Sequence, residues 1–210
     1  MELLEIIGTA AFAISGAMIA IDKGADIFGV LFLALITALG GGVMRDALLG
    51  NTPPVMFTSY SYVAVALGCG LLIFVAAYSN IERYSKLYNW MDKVVNVFDA
   101  AGLAVFTVSG VNLAAALHGM SNPLLLCLMG MCTGVGGGML RDVLTSSMPM
   151  VLKSRIYAVA SLAGALCYYL LLQINIGNTL SAVITCVFIF TLRMMATIFN
   201  WNLPRVRTKP

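Results

Sequence analysis

Charge is what this chain has least of. Its 12 lysines and arginines and 9 aspartates and glutamates make up only 10% of 210 residues, where a soluble domain carries about 25%. With 60% of the residues hydrophobic and a mean hydropathy of +0.95, too little polar surface exists to cover a water-soluble globule. The composition specifies an integral membrane protein. Histidine is represented once, by His118, which has no ligand-type neighbours in sequence and falls in an expected loop. The five cysteines, Cys69, Cys127, Cys132, Cys167 and Cys186, lie singly inside apolar runs without C-x-x-C spacing. They read as small hydrophobes, so neither a disulfide framework nor a metal site is expected. No basic segment precedes the first apolar run, MELLEIIGTAAFAISGAMIAI, which therefore reads as an uncleaved span and not a signal peptide.

A helix crosses the hydrocarbon core with about 20 apolar residues. Seven runs meet that length, near 3–21, 27–48, 58–79, 94–118, 122–145, 155–174 and 178–200. Almost nothing remains for an extramembrane domain, and no nucleophile, base and orienting group stand together, so no enzyme, no nucleic-acid partner and no soluble partner is expected. Lys23, Arg83, Lys86, Lys93, Lys153, Arg155, Arg205, Arg207 and Lys209 all fall on the side of the C-terminus, and the loops of the other side hold no lysine or arginine. The bias predicts an external N-terminus and a cytoplasmic C-terminus. Trp90 and Trp201 fall at the cytoplasmic boundary as interfacial anchors. The tail LPRVRTKP reads as a solvated orienting segment or as a contact for anionic lipid headgroups.

The chain repeats itself. EIIGTAAFAISG (Glu5 to Gly16) returns as DAAGLAVFTVSG (Asp99 to Gly110), and TALGGGVMRDALLGNTPP from Thr37 returns as TGVGGGMLRDVLTSSMP from Thr133. Thr37 matches Thr133, Gly40, Gly41 and Gly42 match Gly136, Gly137 and Gly138, Arg45 and Asp46 match Arg141 and Asp142, and Pro53 matches Pro149. Each copy holds three spans, an odd number, so the second must run opposite to the first. The expected fold is an all-α inverted repeat. Residues 1–90 form the first three-helix unit, 91–175 the second, and 176–210 a seventh helix with a basic cytoplasmic tail. Inverted repeats build central pathways around an axis in the membrane plane, often with broken helices whose freed backbone faces ion or substrate.

Three consecutive glycines weaken a helix by about 1 kcal/mol each relative to alanine. Two readings are open at both runs: an interrupted helix lining a pathway, or a close approach of two helices. Arg45, Asp46, Arg141 and Asp142 would cost on the order of 2.5–3.5 kcal/mol each facing lipid at mid-membrane, so they face protein or water, or else snorkel to the interfaces. Glu5, Gly8, Phe12 and Ser15 share one face of the first span, and Asp99, Gly102, Phe106 and Ser109 one face of the fourth. Either face is a pore wall or a packing seam. Asp99 lies several residues inside an apolar run, whereas Glu5 is placed at the outer surface. Arg193 has no mate in the repeat and reads as a structural or near-interface charge. GGGVMRD lacks the Lys-Ser/Thr of a phosphate-binding loop and follows no strand, so nucleotide binding is excluded.

With its doubled G-G-G-x-x-R-D, the sequence resembles the prokaryotic trimeric intracellular cation (TRIC) channels, also catalogued as tandem glycine transporter domains. The likeness covers essentially the whole chain. It implies a homotrimer in lipid, with one hourglass pore per protomer conducting monovalent cations, chiefly potassium, and second and fifth spans kinked at the glycines. It places Gly40, Gly41, Gly42, Gly136, Gly137 and Gly138, with the charged Arg45, Asp46, Arg141, Asp142 and Asp99, in or beside the pathway. Ser15, Ser109, Thr37 and Thr133 would line it as polar groups. No cofactor and no bound metal are implied beyond the permeant potassium ion, and the location implied is the plasma (inner) membrane. The Lys-Glu-Val motif of the animal channels has no counterpart here, so phosphoinositide or calcium regulation is not expected. A secondary transporter of a small solute such as glycine is the alternative, since inverted symmetry also suits alternating access.

Overall fold

The computed structural model describes residues 2–79, 81–153, 156–199 and 201, apart from the side chains of 81–91 and 153. The described residues are helical almost throughout: α1 (Glu2–Asp22), α2 (Ile27–Leu49), α3 (Val55–Thr58), α4 (Tyr60–Ser79), α5 (Ile81–His118), α6 (Pro123–Leu144), α7 (Met150–Lys153), α8 (Tyr157–Gln173) and α9 (Asn178–Ile198). Six of the helices are long and apolar enough to span a membrane, the relevant part of α5 being Asp92–His118, and α8 is a shorter apolar helix of 17 residues. This is an all-helical membrane protein, and each expected span has its helix. One expectation is corrected. The polar segment SNIERYSKLYNWMDK, read as a connection, is helical from Ile81 onward and extends α5 to 38 residues. Nothing in that segment breaks a helix: it contains neither proline nor glycine, and residues such as Glu82, Lys86 and Leu87 propagate one. The expected anchor Trp90 has no described side chain, Trp201 is partly exposed at 42%, and the basic tail from Asn202 lies outside the described residues.

Local chemistry sets the helix ends. The Asp26 carboxylate accepts from the Gly29 N–H at 2.8 Å at the start of α2, and Gly50 closes that helix with φ 70°, the left-handed geometry that glycine adopts without strain. The Asn122 side chain accepts from the Leu125 N–H ahead of α6, whose first residue is Pro123, where the missing N–H costs nothing.

The two halves pack alike. In the first, α1, α2 and α4 enclose Phe12, Ala13, Ala17, Val30, Ala34 and Ala66; in the second, α5, α6 and α8 enclose Val108, Val111, Ala114, Leu126 and Ala165. Small residues dominate both interiors, as expected where van der Waals contact and not water exclusion holds helices together. The halves meet through α1 against α5 and α2 against α6. Both contacts are antiparallel. A Cβ on Gly41 would strike the Thr133 carbonyl and one on Gly137 the Thr37 carbonyl, while Phe12 meets Gly102 and Gly8 meets Val105. Phe12 and Phe106, which hold equivalent places in the repeat, stack on each other at 5.4 Å. The second half is thus the first inverted. The seventh long helix, α9, has no counterpart and packs on α5 and α8.

Candidate functional site

The glycine runs sit where α2 crosses α6. Both helices continue through them: Ile27–Leu49 and Pro123–Leu144 are each one uninterrupted helix. The interruption considered from sequence is therefore not what the glycines produce. Without side chains, the backbones come together, so that a Cβ on Gly136 would stand 3.0 Å from the Gly41 Cα. The close-approach reading accounts for Gly41, Gly136 and Gly137, where a methyl group would crowd the partner backbone, while at Gly40 it would meet the end of the Leu140 side chain. Thr37 and Thr133 flank the crossing and are buried, their hydroxyls donating to the Leu33 and Met129 carbonyls at 2.6 Å within their own helices. Each also fills the space beside a glycine of α1 or α5, Gly16 and Gly110 respectively.

One turn or so beyond the glycines, each arginine and its aspartate form the same device. Arg45 Nε donates to Asp46 Oδ1 at 2.9 Å, and Arg141 Nε to Asp142 Oδ1 at 2.9 Å. The second carboxylate oxygen accepts the first N–H of the short helix that follows, Val55 N at 2.9 Å for Asp46 and Met150 N at 2.7 Å for Asp142. Both pairs are buried, so neither snorkels to an interface. Each aspartate fixes the proline-containing turn to the end of its helix, and its negative charge stabilises the N-terminus of α3 or α7.

Beyond that shared device the two ends differ. At the end where α1 begins and α2 and α5 finish, Glu5 accepts from Tyr62 Oη through one oxygen and from Ser109 Oγ through the other, both at 2.6 Å. Arg45 makes no bond to it. Between them lies a cavity of about 270 Å³, lined by Glu5, Thr9, Arg45, Asp46, Ser109 and Asn112 among others. A Cβ on Gly42 would meet only Arg45 Nη2, at 3.7 Å. Two carboxylates and one guanidinium face this space.

At the opposite end the equivalent groups have closed on one another. Arg141 is 0% exposed and its Nη1 donates to Asp99 Oδ1 and to Ser15 Oγ, both at 2.7 Å, while Nη2 stands 2.9 Å from Asp142 Oδ1. The cluster ties α1, α5 and α6 together through one guanidinium. A Cβ on Gly138 would lie 3.1 Å from Tyr157 Oη and 3.6 Å from both Arg141 Nη2 and Asp99 Oδ1, so this glycine leaves room for the charged groups. Removing one partner of such a buried cluster costs far more than the net worth of the intact pair, because it leaves the remaining charges uncompensated.

The structure thus brings Asp99, Arg141, Asp142 and Ser15 into one network and Arg45, Asp46 and Ser109 onto one cavity. Glu5, placed at the outer surface from sequence, is half-buried and joins Tyr62 and Ser109 at the first cluster. Tyr62 and Tyr157 were missed; they stand 95 residues apart, close to the 94 and 96 of the other repeat pairs, and extending the alignment past Pro53 and Pro149 finds them.

A family model described as glycine transporter matches residues 2–78 and again 96–173. Among curated relatives, the UPF0126 inner membrane protein YadS of Escherichia coli (strain K12) is 41% identical over 163 residues, 78% of this chain and 74% of the relative. A prokaryotic TRIC channel structure, in 0.5 M KCl, superposes with a TM-score of 0.85 at 35% identity, covering 96% of this chain and 98% of that one. The trimeric intracellular cation channel orthologue from Rhodobacter sphaeroides gives a TM-score of 0.82 at 30% identity, covering 95% and 97%.

Proposed function

The chain belongs to the glycine transporter (UPF0126) family of multi-pass membrane proteins, which includes the prokaryotic TRIC channels, and from that premise we propose that it is a passive cation channel. Each protomer of a homotrimer in the plasma membrane carries its own pathway between the inverted halves, and potassium is the permeant ion. The N-terminus is external and the C-terminus cytoplasmic. The observation that carries this reading is the whole-chain likeness to a solved TRIC channel. The cavity at the junction of the halves supplies a location for the ion, since Glu5 and Asp46 against Arg45 favour a cation over an anion in a low-dielectric surrounding. The Arg141 cluster is the closed end of that pathway, because Ser15, Asp99 and Asp142 leave its guanidinium no exposure.

Single-channel recording of the purified protein in planar bilayers under a potassium gradient tests the proposal, first without glycine and then with it. Discrete current steps reversing near the potassium equilibrium potential are expected in both conditions. Silence from folded protein that takes up glycine saturably would replace the channel with a transporter.

A further inference from the structure

The repeat leaves one polar side chain of the cavity without a polar image. Ser109, Asn112, Leu113 and Ala116 of α5 follow one another at helical spacing along a single face, and all four line the cavity. Ser109 answers Ser15 across the repeat, and the same offset of 94 residues pairs Asn112 with Met18 and Thr9 with Leu103. Met18 is buried in an apolar cluster with Val95, Ile14 and Ile73, and Leu103 is buried as well. Asn112 is instead half-buried on the cavity wall. An amide at one end thus stands where the other end has a thioether packed among aliphatic side chains.

The charged groups of the cavity are already engaged. Both oxygens of Glu5 accept a hydroxyl, from Tyr62 and from Ser109, and Asp46 accepts from Arg45 through one oxygen and from the Val55 N–H through the other. Thr9 donates to the Glu5 carbonyl at 2.8 Å. Asn112 enters none of these bonds. Two carboxylates against one guanidinium leave the space with one negative charge in excess, so a monovalent cation is attracted there. A neutral amide oxygen can replace part of its hydration shell without holding it too tightly to leave, which is the balance that conduction requires. At the other end Asp99 and Asp142 are taken up by Arg141, and the Arg193 guanidinium of α9 lies over the Tyr157 ring, 5.2 Å from its centroid.

We propose that Asn112 is a specificity-determining residue of the pathway: its amide oxygen coordinates the permeant cation in the cavity, while Glu5 and Asp46 supply the attracting field. This rests on the channel reading above. A neutral oxygen of modest field strength favours potassium over sodium, because sodium gives up its hydration less readily.

The test reads selectivity and binding separately. In Asn112→Leu, a variant of similar shape without the amide, the potassium-to-sodium permeability ratio from bi-ionic reversal potentials should fall toward unity. The potassium concentration for half-maximal unitary conductance should rise about tenfold, as expected for the loss of one contact to a charged group. Asn112→Asp keeps an oxygen ligand and should hold or lower that concentration. Unchanged ratio and half-saturation in Asn112→Leu overturn the proposal, and so does an equal loss in both variants, which would mark a packing role. Binding is followed without current by the rise in the thermal unfolding midpoint when potassium chloride replaces N-methyl-D-glucamine chloride at constant ionic strength. That rise should be lost in Asn112→Leu, and a rise kept in full overturns the ligand role. If folded wild-type protein passes no current, the channel reading falls, while a potassium-dependent rise that vanishes in Asn112→Leu still establishes the amide as a cation ligand. Absence of both current and rise in the wild type overturns the two together.

Discussion

The two ends of this molecule are built from the same parts and finish differently. Both have an arginine and an aspartate after three glycines, both use the aspartate to hold a turn, and both bring an acid, a serine and a tyrosine near the guanidinium. At one end Glu5 binds Tyr62 and Ser109, leaving Arg45 on a cavity; at the other Asp99 and Ser15 bind Arg141 directly. The shared motif therefore fixes the turn, and the residues outside it decide whether the guanidinium faces a cavity or is enclosed by its partners. Glutamate is one methylene longer than aspartate and lies with its oxygens on two hydroxyls, whereas Asp99 stays within reach of the guanidinium. The presence of α9 on only one side adds the second difference.

The largest expected effect tests whether the closed end depends on one cation. Arg141→Leu leaves Asp99 and Asp142 buried without a counter-charge and should destabilise the fold by about 3–5 kcal/mol. Arg45→Leu, beside a cavity that water can enter, should cost roughly 1–3 kcal/mol. Thermal unfolding in detergent measures both, and equal losses would erase the distinction. A second contrast lies within the glycines. Gly137→Ala pushes a methyl into the Thr37 carbonyl and should cost about 1–3 kcal/mol by overpacking. Gly42→Ala has space and should be neutral, or stabilise by up to about 1 kcal/mol through helix propensity; a large loss there would mean that the cavity is filled. Asp46→Asn removes a negative charge from the cavity wall and should lower unitary potassium conductance by roughly a factor of two. Asp142→Asn should instead reduce the yield of folded protein, so matching conductance losses in the two variants would contradict an open and a closed end. The smallest effect belongs to Tyr62→Phe, which deletes one hydrogen bond to Glu5 and should cost about 0.5–1.5 kcal/mol. An unchanged unfolding midpoint would show that water replaces the hydroxyl fully.

The positions of the spans were legible because a membrane allows few alternatives: backbone groups in hydrocarbon must be satisfied within helices, and about 20 apolar residues reveal each one. The inversion followed from counting three spans per copy. What sequence left ambiguous was the meaning of the glycines, since Gly40 to Gly42 suit an interruption and a close crossing equally well until the partner backbone at Thr133 is known. The role of Glu5 was hidden for a related reason. Its position near the first turn of α1 looks interfacial, and only the antiparallel arrangement of α1 and α5 brings Ser109 onto it. Arg193 was recognised as buried or near-interfacial, but its partner is an aromatic face contributed by a distant helix, and such a contact leaves no spacing in the sequence.

The stack of Phe12 on Phe106 has a further consequence. Each ring meets its own image, as residues do at the centre of an isologous dimer, so the chain contains a dimer interface within a single polypeptide. At that centre any change is answered by the image of the position changed, and both sides must suit each other: phenylalanine faces phenylalanine, and Gly41 and Gly137 exchange the same contact. Away from it, image residues do not touch and are free to diverge. Inequality between the two ends could accumulate there, at Glu5 and Asp99, without disturbing the seam that joins them. A transport protein needs its two faces to behave differently, and this architecture confines that divergence to the places where symmetry is not enforced by contact.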